Sequence, residues 1–242
     1  MPQGVPRFYF EGQLREGERL ALPEETARHA RVLRLKAGEA IVLFDGRGGE
    51  FEARLARLDG RRAEAELGAH RDLERESPLL VTLGQAISSG EKMDLTVQKA
   101  VELGVAAIQP VLAARSVVRL AGERAAHKLA HWRRVAIAAC EQCGRNRVPA
   151  VRAPLELAQF CRLASRGLRI LLSASGSRRL RELEPAAEIT LAAGPEGGYS
   201  PAEEAMLEAA GFVRVRLGAR LLRTETAAPA ALAALNALRG DF

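Results

Sequence analysis

A glycine-rich loop near the C-terminus is the segment of the sequence best suited to bind a ligand. It reads Gly194-Pro195-Glu196-Gly197-Gly198-Tyr199-Ser200. Its glycines allow the chain to turn sharply and let a ligand approach the backbone N–H and C=O groups. A second loop-like segment runs from Leu217 to Ala227. We therefore expect a ligand that is recognised largely through backbone groups.

Several common phosphate-binding and catalytic motifs are missing from the sequence. It has no G-x-x-x-x-G-K-[ST] loop, and the three-glycine dinucleotide fingerprint follows none of the predicted strands. A serine-centred nucleophile elbow is also absent. Recognition through the backbone suits adenosine better than a triphosphate.

The cysteines and one charged helix end are further candidates for chemistry. Cys140 and Cys143 form a C-x-x-C, but Cys161 is the sole other thiol and no histidine stands at zinc-ligand spacing. We interpret them as buried small residues and expect no metal site. The segment from Glu141 to Arg147, by contrast, carries Arg145 and other donors suited to phosphate.

After Pro78, apolar runs alternate with helical patterns, which is typical of an α/β fold with a largely parallel sheet. We predict strands over Leu79 to Gln85, Ala106 to Val111, Leu168 to Ser173, Ile189 to Ala193 and Phe212 to Leu217. We predict helices over Glu91 to Leu103, Glu123 to Cys143, Pro201 to Ala210 and Thr224 to Leu238. Both loop segments follow predicted strands, at the sheet edge where α/β proteins bind ligands.

The N-terminal part has a different pattern, of short strands separated by tight turns. We predict strands over Arg7 to Phe10, Ala40 to Asp45, Glu50 to Leu58 and Arg62 to Leu67, with a helix over Pro23 to Leu35. These elements favour a small β barrel over residues 1–68. A charged linker is expected over 69–78, and the α/β domain over 79–242.

The net charge of +6 comes almost wholly from arginine, because the chain has only four lysines. Arginine binds phosphate bidentately and stacks on bases, which favours a nucleic-acid partner. A compositional bias of the coding DNA is the alternative explanation. No segment has the length and apolarity of a membrane span or the pattern of a leader peptide, so we expect a cytoplasmic protein.

Six separated stretches resemble the RsmE family of the trefoil-knotted SPOUT class of RNA methyltransferases. The matching stretches are Arg7-Phe8, His29 with Val32-Leu33-Arg34, Lys99 to Val105, Glu141 to Arg145, Gly194 to Ser200, and Leu217 to Ala227. The chain departs from the family pattern at Arg28, where a second histidine is common, and mildly at Tyr199 and Leu221. The first departure leaves open a role for paired histidines.

The resemblance implies S-adenosylmethionine-dependent methylation of N3 of a uridine in small-subunit (16S) ribosomal RNA, giving 3-methyluridine. It also implies a PUA-like or OB-like N-terminal barrel, a C-terminal domain with a deep trefoil knot, and a homodimer. The cofactor would lie among three loops. Its implied contacts are Leu172, Ser173, Gly194, Pro195, Gly197, Gly198, Leu217, Gly218, Leu221, Leu222, Arg223 and Thr224.

Methylation of N3 needs a group that removes its proton or stabilises the uracil anion. Our catalytic candidates are Arg223, Arg145, Glu196 and Glu141, with the two arginines holding the uridine or its phosphate. Glu225 and Arg220 are also available. Glu225 has the alternative role of a carboxylate at a helix N-terminus, and Glu141 that of an i, i+4 partner of Arg145. The residue that takes the proton stays open.

For RNA contact, we expect a basic surface on the small domain. Arg28, Arg31 and Arg34 stand at three-residue spacing in a predicted helix and can follow a phosphate backbone. Surface solvation is the alternative reason for these charges. The complete set of RNA-contact candidates is Arg7, Arg28, His29, Arg31, Arg34, Lys92 and Lys99.

Two other functions remain open at this point. One is a ribosome-associated RNA-binding protein that performs no chemistry. The other is a SPOUT methyltransferase that acts on transfer RNA or on a ribose 2′-hydroxyl. The matches at Lys99 to Val105 and Glu141 to Arg145 weigh against the second.

Overall fold

The computed structural model describes residues 4–116, 122–163 and 167–242. The contacts divide the chain into two units. The first consists of Met1–Glu76 together with Cys140–Val148, and the second of Ser77–Ala139 together with Pro149–Phe242. A segment from the middle of the chain therefore belongs to the N-terminal unit. The domain boundaries expected at residues 68 and 79 stay predictions.

The first unit is built on a five-stranded sheet with the order β1-β3-β4-β5-β2. Strand β1 pairs in parallel with β3, and the other pairings are antiparallel. Alternate strand residues such as Ile41, Leu43 and Leu55 are buried with Phe8 in its core. Its elements are β1 (Arg7–Tyr9), β2 (Arg19–Leu22), α1 (Glu24–Val32), β3 (Ala40–Phe44), β4 (Glu50–Asp59) and β5 (Arg62–Arg71).

The four predicted strands of this unit are confirmed, and β2 is an addition. Strand β2 has four residues, of which Leu22 alone is buried, so it carries too little pattern to be recognised. Strand β5 continues to Arg71, into the segment for which the sequence predicts a linker. It continues because the ladder with β4 resumes beyond a register shift, where His70 pairs with Phe51.

The predicted helix over Pro23 to Leu35 is too long, because α1 ends at Val32. Arg34 has a φ of +59°, which is outside the helical region. The N–H of Leu35 donates to the Ala30 carbonyl and that of Arg34 to the Arg31 carbonyl, as in a Schellman motif. The three-residue helical spacing thus holds for Arg28 and Arg31 but does not include Arg34.

The second unit contains a seven-stranded sheet in which all recorded pairings are parallel. The order is β12-β10-β11-β6-β7-β8, and β9 also pairs with β7. The strands are β6 (Leu80–Ala86), β7 (Ala107–Leu112), β8 (Ala150–Val151), β9 (Leu155–Glu156), β10 (Leu168–Leu172), β11 (Glu188–Ala193) and β12 (Val213–Val215). The predicted α/β fold with a parallel sheet is confirmed.

Helices follow the strands as the sequence predicts, except that α4 was not expected. They are α2 (Gly90–Glu102), α3 (Gly122–Cys143), α4 (Leu157–Arg162), α5 (Pro201–Ala209) and α6 (Thr224–Arg239), with a short 3-10 helix over Leu180–Glu182. The central strands bury side chains such as Leu83, Ile170 and Leu191. Strands β8 and β9 and helix α4 escaped prediction because each is too short for a periodic pattern.

The strand order determines where the candidate loops lie. Strands β12, β10 and β11 are consecutive neighbours in the sheet, and all are parallel. Their carboxyl ends therefore meet at one edge, although other segments separate them along the chain. The loops that begin at Ser173, Gly194 and Arg216 are brought together there.

Candidate functional site

A pocket opens at this edge between the loops that follow β10 and β12. Leu172, Leu217, Leu221 and Leu222 give it apolar walls, and Ser173 lies beside them. Five of the predicted cofactor contacts thus line one pocket. Its full lining is Leu172, Ser173, Ala174, Arg216, Leu217, Arg220, Leu221, Leu222 and Ala227.

The glycine-rich loop after β11 begins next to the start of α6. The Gly194 carbonyl accepts a hydrogen bond of 2.7 Å from Thr224 Oγ1 and a longer one of 3.4 Å from Gln85 Nε2. Gln85 Nε2 also lies 3.2 Å from Thr224 Oγ1. Because Gln85 is fully buried, this polar junction is shielded from water. It joins two of the segments predicted to hold the cofactor.

The glycine-rich loop turns back on itself before entering α5. The N–H of Gly198 donates to the Pro195 carbonyl at 2.9 Å, and Gly198 has a φ of +65°. A Cβ at Gly194 would come within 3.2 Å of Gly198 Cα, so the two ends of the turn lie close together. Glycine is needed here for both its conformation and its size.

A capping box fixes the exit of the loop into α5. Ser200 is the N-cap of α5, and its Oγ accepts from the N–H of Glu203. The Glu203 carboxylate accepts from the Ser200 N–H at 2.8 Å, while Pro201 begins the helix. Before the cap, the buried Tyr199 hydroxyl donates to the Ala193 carbonyl, and burial raises the pKa of this phenol.

The Glu196 carboxylate is bound by the start of α2. Its Oε1 accepts hydrogen bonds from the Ser89 N–H at 3.0 Å, the Ser89 hydroxyl at 2.7 Å and Lys92 Nζ at 3.2 Å. Burial alone would raise the pKa of Glu196, but the hydrogen bonds from Ser89 and Lys92 lower it to about 2. Glu196 is therefore ionised at neutral pH. Lys92, predicted to contact RNA, is engaged in this ion pair.

Two arginines, Arg216 and Arg220, line the pocket, and a third, Arg223, follows the lining residue Leu222 in the chain. Arg216, Arg220 and Arg223 are exposed, and Arg223 is also the N-cap residue of α6. Within the described ranges, none of their guanidinium groups has a carboxylate within ion-pair distance. These cations are available to an anionic ligand, as the sequence predicts for Arg223.

Two further polar side chains, Ser173 and Glu225, belong to the segments that form the predicted site. The Ser173 hydroxyl donates to the Glu204 carboxylate at 2.7 Å, so this predicted cofactor contact has an internal partner. In the first turn of α6, Glu225 Oε2 is buried and has no hydrogen-bond partner among the described residues. A buried oxygen without a partner is costly unless a ligand supplies a proton or a cation.

Arg145 and Glu141 lie in the first unit, together with the N-terminal strands. The Arg145 side chain is 4% exposed and binds both oxygens of Glu76. Glu141 accepts from the Tyr9 N–H at 2.9 Å and lies 3.8 Å from His29 Nδ1; burial raises its pKa. Both side chains fasten the segment from Cys140 to Val148 within this unit. Their catalytic roles stay predictions.

The RNA-contact candidates of the first unit fall into two groups. Arg28, His29, Arg31 and Arg34 are exposed at and just beyond the end of α1. Arg7, in contrast, has a side chain that is 12% exposed and is paired with Glu50. Lys99 of the second unit is also paired, with Glu102 at 2.9 Å. Contact with RNA remains a prediction for every member of the set.

Sequence patterns did not point to Gln85, Ser89 or Arg115 as parts of the site. Arg115 Nη1 donates to the Gly197 carbonyl at 2.9 Å, and Ser89 binds Glu196. The one available signal was Gln85, a polar residue at the end of the strand predicted over Leu79 to Gln85. Ser89 and Arg115 lie in loops after β6 and β7, where only the tertiary fold reveals their neighbours.

Of the two cysteines predicted to be buried, Cys140 is buried but Cys143 is only partly buried, so the prediction is wrong for Cys143. All three are free thiols, and Cys140 is buried with its pKa raised by burial to about 12. In the described parts of the chain, no three His, Cys, Asp or Glu side chains cluster in a way that could hold a metal ion. The described helices also include none long and apolar enough to span a bilayer.

Comparison with known proteins relates both parts of the chain to RNA methyltransferases. A family model described as an RNA methyltransferase domain matches residues 75–236, and one described as an RNA methyltransferase PUA domain matches residues 22–68. Ribosomal RNA small subunit methyltransferase E of Buchnera aphidicola subsp. Schizaphis graminum is 32% identical, over 100% of each chain.

Two solved methyltransferase structures are similar to this chain over nearly its whole length. The ribosomal RNA small subunit methyltransferase E of Neisseria gonorrhoeae, bound to S-adenosylmethionine, has a TM-score of 0.92 and 44% identity, covering 99% of this chain and 100% of its own. A Legionella pneumophila methyltransferase with bound cofactor has a TM-score of 0.94 and 40% identity, with the same coverage. The resemblance seen in the sequence is thus confirmed, and the chain belongs to the RNA methyltransferase family that includes ribosomal RNA small subunit methyltransferase E.

Proposed function

We propose that this protein transfers the methyl group of S-adenosylmethionine to N3 of a uridine in small-subunit (16S) ribosomal RNA, giving 3-methyluridine. The observation that carries the proposal is the meeting of three loops at the carboxyl ends of β12, β10 and β11, in a chain of this family. The choice of uridine N3 rests on the motifs shared with the RsmE family.

The residues at the pocket fit the proposed methyl donor. Leucine side chains supply apolar walls for an adenine ring, and the surrounding loops supply backbone N–H and C=O groups. When bound, the donor supplies the methyl carbon that passes to N3 as its bond to sulfur breaks.

The protein's own residues would align the uracil and stabilise its charge. N3 carries a proton near neutral pH, and its loss leaves an anion spread over O2 and O4. Arg220 lines the pocket and Arg223 follows it in the chain; both are exposed and are our candidates for stabilising that anion. Glu225 is the carboxylate closest in sequence to these arginines and has an oxygen available to receive the proton. No metal is required.

The RNA partner and the assembly are part of the same proposal. The exposed arginines near the end of α1 suit phosphate contacts by the small unit. We further propose a cytoplasmic homodimer with a knotted methyltransferase domain, as the family resemblance implies. The substrate is taken to be the small ribosomal subunit or its RNA.

A transfer assay tests the function directly. The purified protein is incubated with S-adenosylmethionine and with small ribosomal subunits that lack the modification. Mass spectrometry of the digested 16S RNA is expected to detect 3-methyluridine. A methyl group on ribose, or on transfer RNA supplied in parallel, would support another methyltransferase activity. Donor binding without any transfer would instead indicate a non-catalytic RNA-binding protein.

Substitution of Arg223 tests its role within this function. Arg223→Ala is expected to lower methyl transfer on the order of 100-fold, because a cation facing the uracil anion is lost. The melting temperature should stay unchanged, since the side chain is exposed and pairs with no other residue in the described parts of the chain. Arg124→Ala is the control, because it also removes one positive charge, from an exposed residue in the first turn of α3. Equal activity of the two variants would exclude Arg223 from the reaction.

A further inference from the structure

The carboxylate of Glu196 takes the place of a side-chain cap at the start of α2. Ser89 is the N-cap residue of α2, but its hydroxyl makes no capping bond to its own helix. It donates instead to Glu196 Oε1 at 2.7 Å, and the Ser89 N–H donates to the same atom at 3.0 Å. A carboxylate suits this position because the N-terminal end of a helix carries partial positive charge.

Lys92 completes this arrangement and keeps Glu196 ionised. Its Nζ lies 3.2 Å from the same Oε1, within the first turn of α2. The Glu196 side chain is 22% exposed, so solvent weakens the ion pair only in part. With its pKa lowered to about 2 by these hydrogen bonds, the group is a very weak base. A general base works best with a pKa near the working pH.

Glu196 is one of three points at which the glycine-rich loop is held. At its start, the Gly194 carbonyl accepts from Thr224 of α6. Beyond Glu196, the Gly197 carbonyl accepts from Arg115 at 2.9 Å. A loop so rich in glycine has much conformational freedom to lose when it binds a ligand. Fastening it to separate elements removes that cost before the ligand arrives.

We propose that Glu196 is a positioning residue, which anchors the glycine-rich loop to the start of α2 and so holds the loop's backbone groups ready for the methyl donor. The proposal rests on the proposed function, because it assigns a ligand to the loop. It gives Glu196 this role in place of the proton transfer considered from the sequence.

The test compares Glu196→Ala, Glu196→Gln and Ser89→Ala in the full chain. Titration calorimetry with S-adenosylmethionine should show affinity about tenfold weaker for Glu196→Ala, the loss expected for hydrogen bonds to a charged group. Glu196→Gln should recover part of it, since its amide oxygen still accepts from Ser89. The double variant Ser89→Ala/Glu196→Ala should bind no more weakly than Glu196→Ala alone, because the two groups act together.

Two readouts separate positioning from a merely structural role. Hydrogen exchange of the amides in residues 194–200 should rise in Glu196→Ala while the melting temperature is nearly unchanged. At saturating donor, Glu196→Gln should keep the kcat of the wild type and the shape of its pH profile. Glu208→Gln is the control. It removes a carboxylate of α5 that forms an ion pair of 2.6 Å with Arg214 but does not contact the glycine-rich loop among the described residues.

The pH dependence follows from the lowered pKa of Glu196. The ordinary pKa of a glutamate is 4.5, and folding lowers that of Glu196 to about 2. The ionised carboxylate therefore stabilises the fold fully at pH values above 4.5, and this contribution disappears as the pH falls towards about 2. The affinity difference between wild type and Glu196→Ala should therefore be constant from about pH 6 to pH 9.

Other outcomes would overturn the proposal. Normal donor binding by Glu196→Ala would show that the anchor is unnecessary. Normal binding by Glu196→Gln, together with a lost kcat and a changed acidic limb of the pH profile, would identify Glu196 as a proton acceptor. A wild-type protein that binds the donor but transfers no methyl group refutes the proposed function alone. Failure of the wild type to bind the donor refutes both.

Discussion

At the scale of single residues, Gly198 shows how the loop depends on backbone conformation. Its φ of +65° lies in the left-handed region, yet an added Cβ would meet nothing within 4 Å. A substitution here therefore costs conformational strain rather than a clash. The strain would fall on a turn whose backbone we propose to contact the methyl donor.

Gly198→Ala is expected to weaken binding of S-adenosylmethionine more than it lowers stability. The left-handed conformation costs an alanine about 1–2 kcal/mol, which the loop can relieve by changing its shape. Gly211→Ala is a matched control, because Gly211 has a φ of +87° and equally open space, at the turn after α5. Calorimetric titration and thermal melting would compare them. Equal donor affinity of both variants would contradict a binding role for the loop.

The sequence predicted the site residues unevenly, and the reason is the distance between partners along the chain. Leu172, Leu217 and Leu222 were expected as cofactor contacts because the resemblance to the RsmE family implied them, and they line one pocket. The partners of Glu196 could not be predicted, since Ser89 lies 107 positions away and no local pattern connects them. Residues that act through such distant contacts need the tertiary fold to be recognised.

At the scale of elements, α6 connects the pocket to the packing of α2. Thr224 at its beginning binds the glycine-rich loop, and Asn236 near its end is 3% exposed. Asn236 accepts from Ser77 Oγ at 2.7 Å and donates to the Leu103 carbonyl at 2.8 Å, just beyond α2. One helix thus carries both a site residue and a buried polar junction.

Asn236→Ala is expected to lower the free energy of unfolding by about 2–3 kcal/mol, because it removes a buried side chain and leaves the partly buried Leu103 carbonyl without its donor. Urea denaturation would measure the loss. Leu238→Ala on the same helix is the control, since Leu238 is 49% exposed and should change stability by less than about 0.5 kcal/mol. A loss no larger than that of the control would show that the junction contributes little.

Elements were predicted where their patterns were long enough. The strands β6, β7, β10 and β11 follow apolar runs and were all predicted, as was the parallel sheet that they form. The end of α1 was missed because Arg34 takes a left-handed conformation that its side chain type does not suggest. The trefoil knot could not follow from any pattern, because chain threading leaves no periodic trace; it stays a prediction.

At the scale of the whole molecule, the excess positive charge is distributed unevenly between paired and unpaired arginines. Arg7 and Arg145 are nearly buried and bind carboxylates, so they contribute little to an external field. Exposed arginines such as Arg31, Arg34 and Arg220 contribute more. The positive charge available to a polyanion therefore lies at the surfaces that carry such exposed arginines.

Binding to deproteinised 16S RNA is expected to weaken steeply with salt. In Arg31→Gln/Arg34→Gln, the slope of log K against log salt should become shallower by about one to two, since each phosphate contact contributes about 0.7–0.9. Arg57→Gln is the control, because Arg57 is paired with Asp59 at 3.0 Å. Filter binding over a salt series would measure the slopes. The same change in the control would show a nonspecific charge effect.

The buried thiol of Cys140 has a practical consequence. Its pKa of about 12 leaves almost no thiolate at neutral pH, so a disulfide reagent can modify it only after the surrounding segment opens. Cys140 is the first residue of the stretch Cys140–Val148, which belongs to the N-terminal unit. The rate at which a disulfide reagent modifies Cys140 would therefore report how often this stretch opens, and no cysteine would have to be introduced for the measurement.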